Sequence, residues 1–425
     1  MGVGARLRPA VRALLSGGHV ALLRLLNTGL TLVFAILATR WLGAEIFGAY
    51  VSLMAVAGVI QVATSLGLPA LVTREVAARR GDGGRGALPP LVQAVLLING
   101  LLVLGGIVAT LAFGATAGLV MLFALLANLA GVLGAVHGGR EAILLAGWLG
   151  GVVRFLVALA ALAILVATTA PSIVVPLGAQ IVGALAGAAA LALAMPPRRL
   201  GLAAIEGIGA PWWSAAHGPM VRAGFTFAGV QLLLNLTTQV DILVLMLLAT
   251  PRDVALYYAA ARAALVVSFF FNAAALLAEP RLTRLHAAGD IAAAQALARQ
   301  TARMGVAMTL VSVVAAALLG PFYLGLYGEG FGAAYPALVV AGVGYLGWSL
   351  FGPAQQVLRA VRAERALLVA TAVALAVNAV LTAALVPFLG ILGAALGTAA
   401  SFLVNGALTA RAARRAGIAT PVWGG

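Results

Sequence analysis

Long apolar runs constrain the fold of this chain more than any other feature. Twelve windows of about 20 residues carry few charged side chains, and short stretches rich in arginine, proline and glycine separate them. With 63% hydrophobic and only 9% charged residues, the chain has too little polar surface for a soluble domain, so lipid must be the solvent for most of it. Backbone groups in lipid must be hydrogen-bonded within the protein, which leaves helices or a closed barrel. The runs do not alternate between apolar and polar residues, so they predict helices.

The windows fall into two sets of six, one on each side of a polar stretch. They cover residues 18–40, 47–68, 90–112, 117–136, 142–166, 172–194, 222–248, 254–279, 302–320, 333–357, 366–386 and 390–410. The chain is therefore predicted to have five parts: an interfacial amphipathic N-terminus at 1–17, an N-lobe of six spans at 18–194, a cytoplasmic linker at 195–221, a C-lobe of six spans at 222–410 and a cytoplasmic tail at 411–425.

The distribution of arginine predicts how the chain crosses the membrane. All 26 basic residues are arginines. When the loops are assigned to alternate sides, 21 arginines fall on the side of both chain ends, only Arg40 and Arg252 fall on the other, and the remainder lie inside windows. By the positive-inside rule, both ends lie in the cytoplasm and the chain is a multi-pass protein of the inner (plasma) membrane. The same distribution accounts for the formal charge of +15 without nucleic acid as a partner.

The composition excludes several kinds of site. A Walker A phosphate loop needs a lysine, and the chain has none. There are no cysteines, and the 4 histidines are scattered through different loops, so we expect no metal site and no bound cofactor. An ion that drives transport needs neither kind of site, so H⁺ or Na⁺ stays open as a coupling ion.

Ionisable side chains inside the windows are the first candidates for function, because each is costly in lipid unless it faces protein or water. Arg24 lies in the first window, and Asn27 shares its helix face. Arg154 lies near the middle of the fifth window. In the functional interpretation, both arginines line a cavity and bind phosphate oxygens of a substrate. In the alternative, Arg24 reaches the headgroups at the membrane surface and Arg154 hydrogen-bonds to helix carbonyls.

Asp241 and Arg262 are predicted to lie at nearly equal depth, because they stand at similar distances before and after a turn near residue 251. An ion pair between them would neutralise both charges and join two helices of the C-lobe as a staple. In the alternative, Asp241 binds a coupling ion and Arg262 is freed for substrate.

Further polar residues make the seventh span the best candidate for a cavity wall. Asn235 and Gln239 lie in it, and we expect them to bind substrate together with Arg262. Glu279 stands before Pro280 at the end of the eighth window, on the predicted cytoplasmic side. There it acts either as a gate or as part of a simple helix stop.

The two halves of the chain resemble each other weakly. The segments Leu42–Tyr50 and Thr250–Tyr257 are both short polar turns that end in a tyrosine at the start of a helix. Asn27 and Asn235 precede these tyrosines by nearly equal distances. Repeats of this kind are common in transporters, where the substrate path runs between them.

Several segments resemble a known family. Leu37–Tyr50, Ser65–Pro69, Ala278–Leu282, Tyr327–Phe331 and Pro387–Ala395 are similar, in the same order, to signatures of the polysaccharide transporter family, the Wzx-type flippases of lipid-linked oligosaccharides. The resemblance implies the fold of the multidrug/oligosaccharidyl-lipid/polysaccharide flippase superfamily. That fold is an all-α polytopic membrane protein with about twelve transmembrane helices, in two pseudo-symmetric six-helix lobes around a central cavity that opens alternately to each side.

The resemblance also implies substrate and partners. We expect a polyprenyl-(pyro)phosphate-linked oligosaccharide to move from the cytoplasmic to the outer leaflet by alternating access, for export of cell-surface polysaccharide. Arg24, Asn27, Arg154 and Arg262 would bind it. The expected partners are this lipid-linked oligosaccharide and membrane lipids, with a polysaccharide polymerase and glycosyltransferases as further candidates.

Three alternatives stay open. An ion-coupled multidrug (cation) antiporter of the same superfamily should carry acidic residues deep in a lobe, whereas here three arginines lie in the windows against one clear acid, Asp241. A polytopic glycosyltransferase or polymerase should have catalytic carboxylates or a large outer loop. The predicted outer loops of this chain are short and contain only Glu45, Asp253 and Glu329 as acids, so we expect no enzyme. A non-transporting scaffold is disfavoured by the intramembrane charges.

Overall fold

The computed structural model describes residues 3–78, 89–140, 142–195 and 217–422, and every regular element in these ranges is a helix. Within them, 10 helices are long and apolar enough to cross a membrane, and Leu97–Phe113 forms a shorter apolar helix. The protein is an all-α, multi-pass membrane protein, as the apolar runs predict.

The helices of the first half are bounded as follows: α1 Val3–Leu42, α2 Ala44–Ser65, α3 Leu68–Ala78, α4 Pro89–Phe113, α5 Ala115–Gly139, α6 Ile143–Gly147, a π-helix Trp148–Val153, α7 Arg154–Thr168 and α8 Val174–Leu193. Each of the first six predicted windows falls on one or more of these elements.

The second half continues with α9 His217–Leu248, α10 Pro251–Val267, α11 Phe269–Ala287, α12 Ile291–Gly325, a 3₁₀ turn Phe331–Ala334, α13 Tyr335–Ser349, α14 Ala354–Ala360, α15 Glu364–Leu389 and α16 Ile391–Arg415. The eighth predicted window falls on α10 and α11, and the tenth falls on the 3₁₀ turn, α13 and α14. All twelve windows therefore coincide with helices in the structure.

Several predicted boundaries differ from the structure. The second window extends past a sharp turn at Leu66 and Gly67, whose φ values are 45° and 68°, so the chain starts a separate helix, α3, after it. The helix of the ninth window begins at Ile291 rather than at 302, because Asp290 caps its N-terminus by accepting a hydrogen bond from Ala293 N at 2.9 Å. The predicted linker lies largely outside the described residues, as do the side chains of the predicted amphipathic N-terminus.

The chain divides into two compact units. The first comprises Met1–Trp41 and Val56–Leu232, and the second comprises Leu42–Ala55 and Leu233–Gly425. The first half of α2 thus belongs to the second unit. The predicted lobes at 18–194 and 222–410 stay a prediction.

Close contact at Gly48 joins α2 to the start of α10 within the second unit. A Cβ atom on Gly48 would lie 1.6 Å from the carbonyl oxygen of Pro251. Next to it, the ring of Phe47 packs edge-on against Tyr258, with 5.5 Å between ring centres. Only glycine allows two backbones to approach this closely, so Gly48 of the Leu42–Tyr50 segment has a packing role.

Candidate functional site

A π-helix directly precedes Arg154 in the first unit. Trp148–Val153 forms this element, which contains Gly150 and Gly151, and α7 begins at Arg154 directly after it. Short π-helices inside α-helices are rare and are frequently found at functional sites. The fifth predicted span therefore changes from π-helical to α-helical geometry at Arg154, which is its single charged residue.

Arg154 is held by side chains from three helices. Its guanidinium carbon lies 5.5 Å from the ring centre of Phe123 on α5 and 5.2 Å from that of Phe155 on α7. Its Nη2 donates a 3.4 Å hydrogen bond to Oε1 of Gln180, a buried residue of α8. Aromatic faces attract cations, and Gln180 supplies a neutral acceptor, so this arrangement positions a positive charge inside the unit.

Two glycines allow α8 to approach the backbone of Arg154. A Cβ atom on Gly183 would lie 2.6 Å from the carbonyl oxygen of Arg154, and one on Gly187 would lie 3.1 Å from the Cβ of Arg154. The two glycines are four residues apart and therefore lie on one helix face, the small-residue spacing that lets membrane helices pack closely. This contact fixes the position of the Arg154 backbone.

Asn27 approaches the same π-helix from α1. A Cβ atom on Gly151 would lie 2.5 Å from Nδ2 of Asn27. The Oδ1 of Asn27 is buried and has no hydrogen-bond partner among the described residues. The structure thus places Asn27 against Gly151, three residues before Arg154, and the Oδ1 of Asn27 can accept a further hydrogen bond. The side chain of Arg24 lies outside the described residues.

Asp241 is the centre of a polar cluster in the second unit. It is buried on α9, with 8% of its surface exposed. Its Oδ1 accepts a 3.0 Å hydrogen bond from Ile242 N, and its Oδ2 accepts one from the hydroxyl of Tyr257 on α10. The hydroxyl of Thr398 on α16 lies 3.4 Å from the same carboxylate oxygen and 3.0 Å from the Tyr257 hydroxyl. Three helices therefore meet at this carboxylate.

A capping box fixes the register of the two helices that carry this cluster. Thr250 Oγ1 accepts a hydrogen bond from Asp253 N at 3.2 Å, and Asp253 Oδ2 accepts one from Thr250 N at 3.1 Å. Pro251 occupies the first turn of α10, where its missing N–H costs nothing. The short, fixed turn brings Tyr257 back to Asp241.

Arg262 lies among tyrosines. Its guanidinium carbon is 4.8 Å from the ring centre of Tyr258, and the phenols of Tyr323 and Tyr327 lie in its neighbourhood. The hydroxyls of Tyr323 and Tyr327 are 3.0 Å apart, and the ring of Tyr327 stacks on Phe331. This half-buried guanidinium is therefore surrounded by neutral aromatic groups.

The predicted ion pair between Asp241 and Arg262 does not form. The ion pairs found in the described ranges do not include it, and each residue has other partners. Tyr257 and Tyr258 are consecutive in α10 and so point about 100° apart around the helix. Asp241 meets the first tyrosine, while Arg262, four residues after Tyr258, lies on the face of the second. Equal depth was not sufficient for pairing.

The remaining predicted residues are spread over the second unit. Asn235 has a buried Oδ1 without a hydrogen-bond partner among the described residues, and Gln239 is half-buried. Glu279 forms an ion pair with Arg359 of α14, with 3.3 Å between Oε2 and Nη1. The helix-stop interpretation of Glu279 is wrong, because α11 continues through Pro280 to Ala287. Sequence reasoning missed Tyr323 and Thr398. The spacing of Tyr323 and Tyr327, four residues apart, is the signal that could have drawn attention to the tyrosines.

The comparisons with known proteins agree with the sequence resemblance. Residues 16–137 match the family model described as polysaccharide biosynthesis protein. The resemblance to the polysaccharide transporter family is thus confirmed for this part of the chain. No curated protein matches the sequence.

Solved structures of the multidrug/oligosaccharidyl-lipid/polysaccharide (MOP) flippase superfamily share the fold. An inward-facing multidrug resistance MATE family transporter matches with a TM-score of 0.74 at 14% identity, over 92% of this chain and 94% of its own. The lipid II flippase MurJ, in an inward closed conformation, matches with a TM-score of 0.71 at 12% identity, over 92% of this chain and 87% of its own.

A third structure is a MOP superfamily transporter from Pyrococcus furiosus, for which a reversed polarity of the binding pocket suggests a different function. It matches with a TM-score of 0.60 at 14% identity, over 94% of this chain and 95% of its own. At these identities the comparison establishes the fold, which is that of MOP superfamily transporters and flippases.

Proposed function

We propose that this chain is a flippase that moves a polyprenyl-(pyro)phosphate-linked oligosaccharide from the cytoplasmic to the outer leaflet by alternating access. The family match over residues 16–137 supports a role in polysaccharide biosynthesis, and the fold supports transport. The arginine distribution supports an inner-membrane location with both chain ends in the cytoplasm. Glycosyltransferases would then supply the substrate, and a polysaccharide polymerase would consume it.

The surroundings of Arg262 carry the proposal. A guanidinium stays charged at any physiological pH, and a charge inside the membrane is stable only when protein, water or an opposite charge faces it. Arg262 contacts the ring of Tyr258, whereas the nearby acid of the predicted pair, Asp241, is engaged by Tyr257. The second unit therefore offers positive charge to a ligand. That charge favours a diphosphate over an organic cation.

Groups of the first unit fit the same substrate. Arg154 would bind a second phosphate oxygen or a sugar carboxylate, and Asn27 would donate or accept hydrogen bonds with sugar hydroxyls. In the second unit, Asn235 and Gln239 would do the same. Arg24, on the helix of Asn27, completes the proposed binding set.

Pocket charge separates functions within this fold. The Pyrococcus furiosus transporter is described as having a binding pocket of reversed polarity, which suggests a different function for it. By the same reasoning, a cationic interior supports an anionic substrate in this chain. Asp241 would serve as a site for H⁺ or Na⁺, or as a structural staple through Tyr257 and Thr398.

The second candidate is a cation antiporter, which the likeness to a MATE transporter favours. One experiment separates the two. The purified protein is placed in liposomes, and two signals are followed: the transbilayer movement of a fluorescent polyprenyl-diphosphate oligosaccharide, and the uptake of an organic cation under an imposed H⁺ or Na⁺ gradient. Movement of the lipid-linked probe without cation uptake supports the flippase. Cation uptake without movement of the probe supports the antiporter and overturns the proposal.

A further inference from the structure

The segment after α16, residues 416–422, folds back against the second unit, and we call it the strap. α16 ends at Arg415, and Gly417 has a φ of 89°. The N–H of Gly417 donates to the carbonyl of Arg414 at 3.0 Å, and that of Ile418 donates to the carbonyl of Ala413 at 3.1 Å. A left-handed glycine after the last helical turn reverses the direction of the chain. The strap therefore points back into the unit.

Ile418 is the apolar anchor of the strap. It is fully buried in a cluster that draws side chains from α11, α12, α14 and α16. The buried members of this cluster are Ala278, Leu282, Ala294, Ala298, Val357, Leu358, Ala360, Ala413 and Ile418. Removing Ile418 would take an apolar side chain out of the cluster that buries Val357 and Leu358 of α14.

Gln295 of α12 holds the backbone of the strap. Its Nε2 donates to the carbonyl of Ala419, and its Oε1 accepts from the N–H of Ala419 at 2.7 Å. One side-chain amide thus satisfies both backbone groups of a single strap residue, as a neighbouring β-strand would.

The strap also fills a break in the tenth predicted span. α13 ends at Ser349 and α14 begins at Ala354, with Gly352 between them at a φ of 68°. The N–H of Val422 donates to the carbonyl of Leu350 at 3.0 Å. The carbonyl oxygen of Thr420 lies 2.1 Å from where a Cβ on Gly352 would be. The strap thus satisfies a carbonyl that the break releases and packs directly on its glycine.

Two polar side-chain contacts also tie α14 to neighbouring helices. Arg359 pairs with Glu279 at 3.3 Å, and Gln355 donates to Oδ1 of Asn405 at 2.9 Å. Interrupted helices are the places where transporter backbones leave regular geometry. A short helix with partly exposed ties opens at a lower free energy than the whole unit unfolds.

We propose that the strap is a releasable latch. When docked, it holds α14 and the break before it in place, and its release frees α14 and raises the rate of conformational change in the second unit. The effect on transport rests on the proposed function, whereas the latch itself does not.

Thiol labelling tests the latch without any substrate. The chain has no cysteine, so Val357→Cys introduces a single thiol into the buried cluster. We expect its reaction with a water-soluble maleimide to become about tenfold faster when Gln295→Ala is added or when residues 418–425 are deleted, because opening becomes more frequent. Val254→Cys, equally buried at the start of α10, is the matched control and should not respond. Equal labelling of Cys at 357 with and without the strap would overturn the latch.

Cross-linking tests the effect on transport. Gln295→Cys and Ala419→Cys, joined by a short bis-thiosulfonate reagent, keep the strap docked. Movement of the lipid-linked probe should fall on cross-linking and recover on reduction, and Gln295→Ala should raise it. Unchanged movement in the cross-linked protein would overturn the regulatory role. Absence of movement in the wild type would count against the proposed function, and the labelling result would still decide whether the latch exists.

Discussion

The hydroxyl of Tyr257 donates a hydrogen bond to the buried carboxylate of Asp241, which joins α10 to α9 within the second unit. This bond takes the place of the predicted ion pair with Arg262. It satisfies the carboxylate with a neutral donor, and it leaves the guanidinium of Arg262 facing tyrosine rings. The division between an acid with a neutral hydrogen-bond donor and a half-buried cation beside tyrosine rings underlies the proposed preference for an anionic substrate.

The Tyr257–Asp241 bond should contribute measurably to stability. Tyr257→Phe removes the donor and leaves a buried carboxylate with fewer partners, which should cost about 1–3 kcal/mol. Thermal unfolding in detergent measures the loss. In an Asp241→Asn background the same substitution should cost less, because the two residues act through one bond. Equal costs in both backgrounds would contradict the pairing.

The approach of α8 to Arg154 should be sensitive to a single methyl group. Gly183→Ala would place a Cβ 2.6 Å from the carbonyl oxygen of Arg154. Overpacking of this kind should destabilise the first unit by about 1–3 kcal/mol. Gly178→Ala on the same helix is the control, since its nearest neighbour would be 3.9 Å away. Similar melting temperatures for the two variants would show that α8 does not pack on Arg154 as described.

The ion pair between Glu279 and Arg359 allows a test of whether Glu279 acts as a gate. Both side chains are partly exposed, so Glu279→Gln should change the free energy of unfolding by less than about 1 kcal/mol. If Glu279 is a gate, the transport rate should still rise, because a tie on α14 is lost. The charge reversal Glu279→Arg with Arg359→Glu should restore the wild-type rate. A transport rate that stays constant across these variants would show that Glu279 is not a gate.

Hydrophobicity determined the spans, but it could not determine side-chain partners. All twelve apolar windows fall on helices, and 10 helices of the described residues are long and apolar enough to span a membrane. The turn at Leu66 and Gly67 lies inside an apolar stretch, so hydropathy did not reveal that α3 is separate. The direction in which a side chain points depends on the face of its helix, which hydropathy does not give. On α10, Tyr257 faces Asp241, whereas Arg262 lies on the face of Tyr258. Hydropathy also did not reveal the π-helix before Arg154, nor that Asn27, which lies far away in sequence, packs against its Gly151.

Substitution of Arg262 tests the central claim most directly. The movement of a fluorescent oligosaccharide on a polyprenyl diphosphate is compared with that of the same oligosaccharide on an uncharged lipid, for wild type, Arg262→Lys, Arg262→Gln and Arg252→Gln. Arg252 is exposed beside Pro251 and serves as the control for loss of one positive charge. The wild type and Arg252→Gln should prefer the diphosphate by about tenfold, Arg262→Lys should retain part of this preference, and Arg262→Gln should lose it. Wild-type movement of the diphosphate probe by folded Arg262→Gln would contradict the account.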